Sequence, residues 1–407
     1  MNYSIVKTTR ALLAAVFISI GSASNSAQAD EQKSVRVMPA FSWDKIPRWT
    51  FLSVNDTIVT DEEARYIASN FPIAFLFWIP SGPARENQFA EEKILASIKV
   101  VKELNPQMKV FYYFNSTLAF DHYAAFREFE KHPDFKMVDK KTGNAVVVRD
   151  DVLRYDVTNP KLREWWSEQV AKAVSNSYVD GVWADAVCKI ELNKRNVFDK
   201  SMNPGDFEKA VSGMHEMLAL TKQKIGDGKL LFYNGLRGDL RPGMWEHGGI
   251  TYLNECDGAC VEHFLTHSSR TPDGKLIISH VLKDIELIRK AAAMNKIVVV
   301  KAWPKTAMFT DPEFLKLSVE EKQAILRDEI TFPLALFLIA AEKNCYFNFS
   351  FGYRRSCLPL YHLPEYDKPL GAPLRAAEQE GLILTRDFEH ATVWVNLGTE
   401  EARIDWK

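Results

Sequence analysis

Short apolar runs alternate with longer amphipathic stretches along most of this chain. The runs are too short for helices and are bounded by polar or turn residues, so they read as buried strands: Thr50–Val54, Ile73–Trp78, Lys109–Phe114, Val179–Asp185, Leu230–Asn234, Thr251–Asn254, Ile297–Ala302 and Cys345–Phe349. The predicted helices between them include Glu91–Leu104, Lys161–Ser175, Asp206–Lys224, Lys283–Met294 and Val319–Glu342, the last long enough for two helices. This alternation is typical of a parallel sheet covered by helices.

Eight such strands favour a (β/α)8 TIM barrel over an open sheet. A doubly wound sheet, the alternative, usually carries a Gly-rich phosphate loop after its first strand, and none is present. We expect the barrel over residues 30–375, with a hairpin inserted near 135–155 in a loop that shapes the substrate cleft. Residues 376–407 are expected to form a small antiparallel β segment packed on the barrel, because short strand-like runs replace the helical pattern there.

The first 29 residues have the pattern of a secretory signal peptide. Lys7 and Arg10 precede an apolar core of about ten residues, too short to span a bilayer, and Ala27-Gln28-Ala29 suits cleavage before Asp30. The alternative is an uncleaved anchor. We therefore expect export, to the periplasm or outside the cell, and no membrane span in the mature chain.

Charge and cysteine content narrow the possible partners. A formal net charge of −2 argues against a nucleic-acid partner, which would need a basic face. Five cysteines leave at least one thiol unpaired; Cys256 with Cys260, or Cys345 with Cys357, could bridge. A zinc site at Cys256 and Cys260, with His263 or His267, is a weaker alternative because the spacing fits no standard zinc pattern. We expect neither a metal nor a cofactor.

The residues that close the predicted strands should meet at one face, because the carboxyl ends of parallel barrel strands share one mouth. Alternation along Val179–Asp185 puts Trp183 and Asp185 on the inward face. Two acids at such a mouth can cleave a glycosidic bond, so Asp185 is the first candidate for catalysis. Rings and amides suit a sugar, and the substrate-binding candidates are Trp78, Tyr113, Asn115, Trp183, Asn234, Lys301, Trp303 and Tyr353.

Three acids near the sixth predicted strand compete for the second catalytic role. Glu255 follows the strand directly, and Asp257 begins a turn with Gly258. Glu262 lies between Val261 and His263-Phe264, and an apolar shelter favours a general acid. Glu262 is therefore preferred, with Glu255 and Asp257 as alternatives.

Several of these residues have other interpretations. Asp156 is a further catalytic alternative, although a structural or substrate-contact role is favoured; it could cap the next helix, a role for which Asn159 competes. Asp180 starts its strand, far from the mouth, and is expected to be structural. Trp183 and, less so, Trp78 could be core residues. Lys301 could form a Schiff base as in aldolases, but pairing with a nearby carboxylate is favoured.

At these residues the chain resembles hypothetical glycosyl hydrolase family 15 and, more distantly, the endo-α-1,4-polygalactosaminidases. The resemblance covers most of the chain after residue 29 and depends on short motifs: Asp180 to Asp185, Asp257-Gly258 to Glu262-His263-Phe264, Tyr155 to Pro160, Tyr233-Asn234-Gly235, and Arg386-Asp387-Phe388 to Val395-Asn396. It implies a (β/α)8 glycoside hydrolase with Asp185 as nucleophile or base and Glu262 as general acid. Two cysteines within the Glu262 motif depart from the family pattern.

The sequence thus predicts an exported glycoside hydrolase acting on a poly- or oligosaccharide, with a general acid and a nucleophile or base. The main alternative is a non-catalytic glycan-binding barrel, and a weaker one is a Schiff-base lyase built on Lys301. A metal-dependent hydrolase is weaker still, since no His-x-His element closes the early strands. The sugar, the linkage, the stereochemistry and the oligomeric state stay open at this point.

Overall fold

A computed structural model describes residues 38–55, 57–80, 88–148, 151–241, 244–306 and 312–407. The predicted signal peptide, residues 1–29, lies outside the described residues. Eight parallel strands form one sheet in chain order: β1 Trp49–Asn55, β2 Ile73–Ile79, β3 Lys109–Asn115, β4 Gly181–Asp185, β5 Leu230–Asn234, β6 Gly258–Phe264, β7 Ile297–Ala302 and β8 Cys345–Phe349. Seven of the predicted strands coincide with these elements.

The sheet closes on itself between its first and last strands. The Phe347 amide donates to the Pro47 carbonyl at 2.8 Å, and the Ser53 amide donates to the Tyr353 carbonyl at 2.8 Å. Between them, the Asn348 side chain donates to the Trp49 carbonyl at 3.1 Å. The predicted (β/α)8 barrel is therefore confirmed.

Helices cover the outside of the barrel and connect its strands: α1 Asp61–Asn70, α2 Ala90–Leu104, α3 Ala125–Phe129, α4 Pro160–Val174, α5 Lys189–Leu192, α6 Asp199–Ser201, α7 Asp206–Ile225, α8 Ile278–Ala293, α9 Pro312–Lys316, α10 Val319–Glu329 and α11 Thr331–Ala340. Side-chain capping defines the start of several of these helices. Thr60 with Glu63, and Ser318 with Glu321, form reciprocal capping boxes that satisfy the first amides of α1 and α10. The stretch predicted as one or two helices is thus two, α10 and α11.

Aromatic rings fill the barrel interior below its mouth. Phe75 of β2 and Phe111 of β3 contact Phe232 of β5, at centroid distances of 5.3 and 4.9 Å, although none of these strands neighbours β5. Trp183 of β4 packs at 5.5 Å from Phe51 of β1, across the barrel. Such contacts are possible only inside the cylinder, so the interior is a packed core rather than a channel.

The sixth strand lies later in the chain than its prediction. Residues Ile250–Asn254, which overlap the predicted strand, form a 3-10 helix, and the strand is Gly258–Phe264. Tyr252 in the 3-10 helix is fully buried and donates its hydroxyl to Glu191 at 2.8 Å. The apolar signal of this segment therefore reflects packing against the barrel from outside. As a result Glu262 lies within a strand instead of following one.

Two small sheets accompany the barrel. After β3, the strands Leu118–Ala119, Val147–Val148 and Val152–Arg154 form a three-stranded antiparallel sheet over the predicted hairpin insertion. At the carboxyl end, β9 Glu378–Glu380, β10 Ile383–Asp387, β11 Ala391–Asn396 and β12 Glu401–Trp406 form an antiparallel sheet. The last three of these strands contact α11. The C-terminal antiparallel extension is confirmed as part of the fold.

All five cysteines are buried and unbridged. The disulfides that the spacing permitted are therefore absent from this structure. None of the helices in the described ranges is long and apolar enough to cross a membrane.

Candidate functional site

Two carboxylates share one cavity at the carboxyl-terminal mouth of the barrel. Asp185 is the last residue of β4, and Glu262 lies near the end of β6. The cavity measures about 720 Å³, and its walls include both acids together with Tyr113, Asn115, Asn234 and Trp303. The structure thus brings the two preferred catalytic candidates and four of the predicted substrate-binding residues to one place.

Asn234 connects the two acids. Its side-chain nitrogen donates to Asp185 Oδ1 at 2.9 Å and to Glu262 Oε2 at 2.7 Å. Since one atom contacts both oxygens, these oxygens can be no farther apart than the sum of the two distances, about 5.6 Å. The two carboxylates therefore form a close pair held by one amide.

Asp185 accepts two further hydrogen bonds, both from β3. The Tyr113 hydroxyl donates to Oδ2 at 2.5 Å, and the Asn115 side chain donates to the same oxygen at 3.2 Å. Asn115 is itself held by its Oδ1, which accepts the amides of Thr117 at 2.9 Å and Leu118 at 2.8 Å. The carboxylate of Asp185 is therefore fixed by donors that have their own supports.

Burial raises the pKa of Asp185 above its ordinary value, and the charge of Glu262 raises it further. The hydrogen bonds from Tyr113 and Asn234 oppose this rise because they stabilise the ionised form. Two like charges this close repel each other, which favours a bound proton on Asp185. A carboxyl and a carboxylate side by side can serve as a general acid and a general base.

Glu262 has its own supports in the segments that follow β7 and β8. The Tyr353 hydroxyl donates to Oε1 at 3.1 Å, and the Trp303 indole nitrogen donates to the Glu262 carbonyl at 2.6 Å. The Glu262 side chain keeps 22% of its surface exposed, so it can exchange protons with water in the cavity. Three predicted substrate-binding residues, Asn234, Trp303 and Tyr353, therefore contact Glu262.

The backbone next to Asp185 is strained. Ala186 has φ 64°, in the left-handed region, which costs a residue with a Cβ roughly 1–2 kcal/mol. In this conformation its amide donates to the Asp185 carboxylate. Such strain is retained where it orients functional groups, which agrees with a working site at the end of β4.

Four predicted substrate-binding residues do not line the cavity: Tyr353, which contacts Glu262, and three that lie farther away. Trp78 is fully buried on the outer face of β2, and its neighbour Phe77 lines the cavity instead. Trp183 lies in the barrel interior below Asp185, stacked on Trp49 at 5.9 Å. Lys301 is fully buried and donates to the carbonyls of Ala302 at 2.7 Å and Ser350 at 2.6 Å.

Burial lowers the pKa of Lys301 to about 7. The Lys301 ammonium lies 4.1 Å from the Trp303 ring centroid. It therefore braces Trp303 and the loop after β8 from below, rather than pairing with a carboxylate as predicted or reaching a substrate carbonyl.

The alternative acids also lie elsewhere. Glu255 pairs with His215 of α7, with Oε2 at 3.1 Å from Nδ1. Asp257 precedes β6, at the opposite end of the barrel, where it accepts the Leu231 amide at 2.8 Å and lies 3.0 Å from the Lys222 ammonium. These two differ from expectation because β6 begins after them, so neither reaches the mouth.

Asp156 and Asp180 have structural partners. Asp156 accepts the Thr158 hydroxyl at 2.6 Å in the turn before α4, while Asn159 caps the helix. Asp180 accepts from the ammonium groups of Lys102 at 2.9 Å and Lys109 at 3.2 Å, at the amino-terminal end of the barrel. Both placements agree with the favoured interpretations.

Sequence reasoning missed several residues of the cavity wall. These are mainly basic or aromatic side chains, among them Phe77, His122, Arg154, Lys189 and Arg354. Arg154 belongs to the insertion that was expected to shape the cleft, but no local pattern distinguishes it from a solvent-exposed arginine. Within the described ranges, no group of three or more His, Cys, Asp or Glu side chains is placed to hold a metal ion.

Comparison with known proteins gives distant structural matches and one family. No curated protein sequence matches the chain significantly. A Paenibacillus sp. cycloisomaltooligosaccharide glucanotransferase is 15% identical, covering 64% of this chain and 39% of its own, with a TM-score of 0.44. A maltogenic α-amylase from Thermotoga neapolitana is 12% identical, covering 87% and 86%, with a TM-score of 0.48. An α-galactosidase from Thermus thermophilus is 13% identical, covering 89% and 68%, with a TM-score of 0.46.

The family comparison is more extensive along the sequence. The model of hypothetical glycosyl hydrolase family 15 matches residues 102–392, which include β3 to β8 and both acids of the pair. Because this match spans more than half of the chain, the protein belongs to hypothetical glycosyl hydrolase family 15.

Proposed function

We propose that this protein is a glycoside hydrolase that cleaves a poly- or oligosaccharide with retention of anomeric configuration. The observation that carries the proposal is the Asn234 bridge, which limits the Asp185 and Glu262 oxygens to a separation of about 5.6 Å. Retaining enzymes hold their two carboxyl groups about 5–5.5 Å apart, whereas inverting enzymes need about 6.5–9.5 Å to admit water. Family membership supports the same class of reaction.

In the proposed mechanism Asp185 is the nucleophile. It accepts three side-chain hydrogen bonds, from Tyr113, Asn115 and Asn234, and these donors stabilise its ionised form. Glu262 accepts two side-chain bonds and stays partly exposed, which suits a group that must lose and regain a proton in each cycle.

The reaction then proceeds in two steps. Protonated Glu262 gives its proton to the glycosidic oxygen while Asp185 attacks the anomeric carbon, so the leaving sugar departs as an alcohol and a glycosyl ester forms. Glu262, now ionised, takes a proton from water as that water attacks the anomeric carbon. This releases the sugar, frees the Asp185 carboxylate and returns the proton to Glu262.

The cavity supports a saccharide ligand. Its volume of about 720 Å³ lies within the range of about 300–1,000 Å³ found for small-molecule sites. Phe77, Tyr113 and Trp303 offer ring faces, and Asn115 and Asn234 offer amides. A Schiff-base reaction has no comparable support, because Lys301 is fully buried and does not line the cavity.

The test measures reducing ends released from a broad polysaccharide panel by four proteins: wild type, Asp185→Asn, Glu262→Gln and Glu255→Gln. Glu255 is a matched control, since it lies in the same segment and pairs with His215 outside the cavity. We expect release by wild type and Glu255→Gln and at least a hundredfold loss in the other two. Glycan binding without release in wild type would favour the non-catalytic alternative.

Azide assigns the two roles separately. With an activated aryl glycoside, Asp185→Ala and azide should give a glycosyl azide of inverted configuration, because azide replaces the nucleophile. Glu262→Ala and azide should give the retained azide, because azide then attacks the intermediate held by Asp185. Inverted product from wild type itself, read by proton NMR of the first sugar released, would contradict the mechanism.

We also propose that the protein is exported, on the basis of the charged, apolar and small-residue segments of residues 1–29. Mass spectrometry of the protein from its native host should then find a chain that begins at Asp30. An intact amino terminus would contradict cleavage.

A further inference from the structure

An arginine of the insertion sheet, Arg154, lines the cavity. Arg154 ends the short strand Val152–Arg154 of the insertion sheet, and its side chain forms part of the cavity wall. Its Nε atom is buried and has no hydrogen-bond partner among the residues that the structure describes. Within the described ranges, no carboxylate lies within ion-pair distance of its guanidinium.

The backbone holds Arg154 in place. Its amide donates to the Val146 carbonyl at 3.1 Å, and its carbonyl accepts the Met137 amide at 2.9 Å. Leu118 lies opposite it on the neighbouring strand. The side chain is therefore presented to the cavity by a paired strand rather than by an unsupported loop.

An uncompensated, partly buried charge is costly, and proteins normally pair it. Here burial lowers the pKa of Arg154, which is the mark of an incompletely solvated guanidinium. Arg237, in the same wall, is paired in this way: its Nη2 lies 2.6 Å from Asp239 Oδ2. Arg386, buried under the C-terminal sheet, bonds to helix carbonyls and to Glu342. Arg154 differs from both, because no acceptor of its guanidinium lies within the described ranges and its side chain lines the cavity.

Two more cations reach the cavity from other barrel loops. Lys189 follows β4 at the start of α5, and Arg354 follows β8 next to Tyr353. Both side chains are exposed, and neither forms a side-chain hydrogen bond or ion pair within the described ranges. Asp121 and Asp151 also line the wall and are exposed like Lys189 and Arg354, so water screens these four charges more than that of Arg154. Basic groups from three separate elements thus line the same cavity as the carboxylate pair.

We propose that the sugar chain bound in this cavity carries an anionic group, a carboxylate or a sulfate, and that Arg154 binds it. A guanidinium presents parallel N–H donors that match two oxygens of either group, which an ammonium cannot do. Lys189 and Arg354 add positive potential that attracts the same chain. The inference deepens the proposed function, on which it rests, by naming the substrate as an anionic glycan.

The test uses a glycan array with uronate-bearing, sulfate-bearing and neutral glycans, probed with full-length Asp185→Asn protein so that ligands are not consumed. We expect binding to anionic glycans and at least tenfold weaker binding to neutral ones. Binding of the uronate-bearing glycans would identify the anionic group as a carboxylate, and binding of the sulfate-bearing glycans would identify it as a sulfate. The strongest ligand is then compared by calorimetry with its carboxyl-reduced or desulfated derivative.

Substitutions in the same background locate the contact. Arg154→Met should weaken binding of the anionic ligand at least tenfold and leave its neutral derivative unchanged, while Arg154→Lys should fall between. Arg127→Met is the matched control, since Arg127 lies on α3 outside the cavity with 64% of its side chain exposed and its loss changes net charge equally. Circular dichroism verifies that each variant folds.

Three results would overturn the inference: equal binding of neutral and anionic glycans, no binding of any anionic glycan, or anion binding unaffected by Arg154→Met. Hydrolysis of neutral glycans that depends on Asp185 and Glu262 would keep the proposed function while removing the anionic substrate. Arg154-dependent binding of a glycan that wild type never cleaves would keep the anion site and contradict the hydrolase.

Discussion

Asn234 is the residue on which the geometry of the carboxylate pair depends, because one amide nitrogen serves both acids. We expect Asn234→Leu, which keeps the volume and removes the donor, to lower kcat/KM by about 10²–10³, as loss of one catalytic donor does elsewhere. The donor stabilises ionised Asp185, so its loss raises the pKa of Asp185 further. The acidic limb of the pH profile should therefore move to higher pH.

Measuring kcat/KM against pH for wild type and Asn234→Leu tests both effects. An unchanged acidic limb, or a loss below tenfold, would show that Asn234 does not control the pair. Thermal unfolding of the variant controls for a general loss of structure.

Removing the charge of Glu262 should shift the acidic limb of the pH profile in the opposite direction. Its charge raises the pKa of Asp185, so Glu262→Gln should lower that pKa and move the acidic limb to lower pH. The sign follows because Asp185 must be ionised to attack, and activity is lost as pH falls through its pKa. An activated aryl glycoside is the substrate for this measurement, since its leaving group needs no proton. An unchanged acidic limb would show that the charge of Glu262 does not affect the pKa of Asp185.

The sequence predicted this pair only in part. Asp185 could be located because an apolar run ends on it, and period-two alternation points it inward. Glu262 was preferred over Glu255 and Asp257 for its apolar neighbours, but its distance from Asp185 was unknown. The Asn234 bridge joins residues from β4, β5 and β6, so no single stretch of sequence contains it.

At the level of elements, the position of the sixth strand was predicted wrongly, and the residues of β6 explain why. The inward side chains of Gly258–Phe264 include Gly258, where a Cβ would lie 2.5 Å from the Phe232 ring. The large ring of β5 therefore leaves room only for glycine. A strand that carries glycine, cysteine and glutamate inward has no apolar alternation, whereas the neighbouring 3-10 helix has an apolar run. The space available inside the barrel, rather than the local sequence pattern, therefore determines which residues form β6.

The amino-terminal end of β4 offers a test of stability without function. Asp180 pairs with Lys102 of α2 and Lys109 of β3, whose side chains are only 8% and 12% exposed. Asp180→Ala leaves two nearly buried ammonium groups uncompensated, so we expect the free energy of unfolding in urea to fall by about 3 kcal/mol.

Activity should respond differently to this change. Asp180 lies about 16 Å along the strand from Asp185, so kcat/KM of the folded Asp180→Ala variant should stay within about twofold of wild type. Asp180→Asn, which keeps the shape, should lose less stability. A large loss of activity at full stability would reassign Asp180 to the site.

For the whole molecule, α11 links the barrel to the C-terminal sheet. Pro333 to Ala340 are all buried, as expected for a helix covered on both sides. Arg386 of β10 donates to the carbonyls of Leu338 at 3.0 Å and Ile339 at 3.3 Å, near the end of α11. The barrel and the sheet belong to one compact unit.

We therefore expect the barrel and the C-terminal sheet to unfold together. Arg386→Met leaves several helix carbonyls unsatisfied and should lower the free energy of unfolding by about 2 kcal/mol. Hydrogen exchange should show protection falling in barrel peptides and in β10 to β12 peptides by similar factors. Loss of protection in the sheet alone would show that it is an independent unit.

The sequence by itself determined the barrel, the C-terminal strands, Asp185 and most of the polar groups at the mouth, because these depend on local periodicity and on the rule that parallel strands end at one face. Only the tertiary structure decided the separation of the two carboxylates, the start of β6, the burial of Trp78 and Lys301, and the position of Arg154 in the cavity. Those properties are set by contacts between residues far apart in the chain, where packing volume and charge pairing outweigh local pattern.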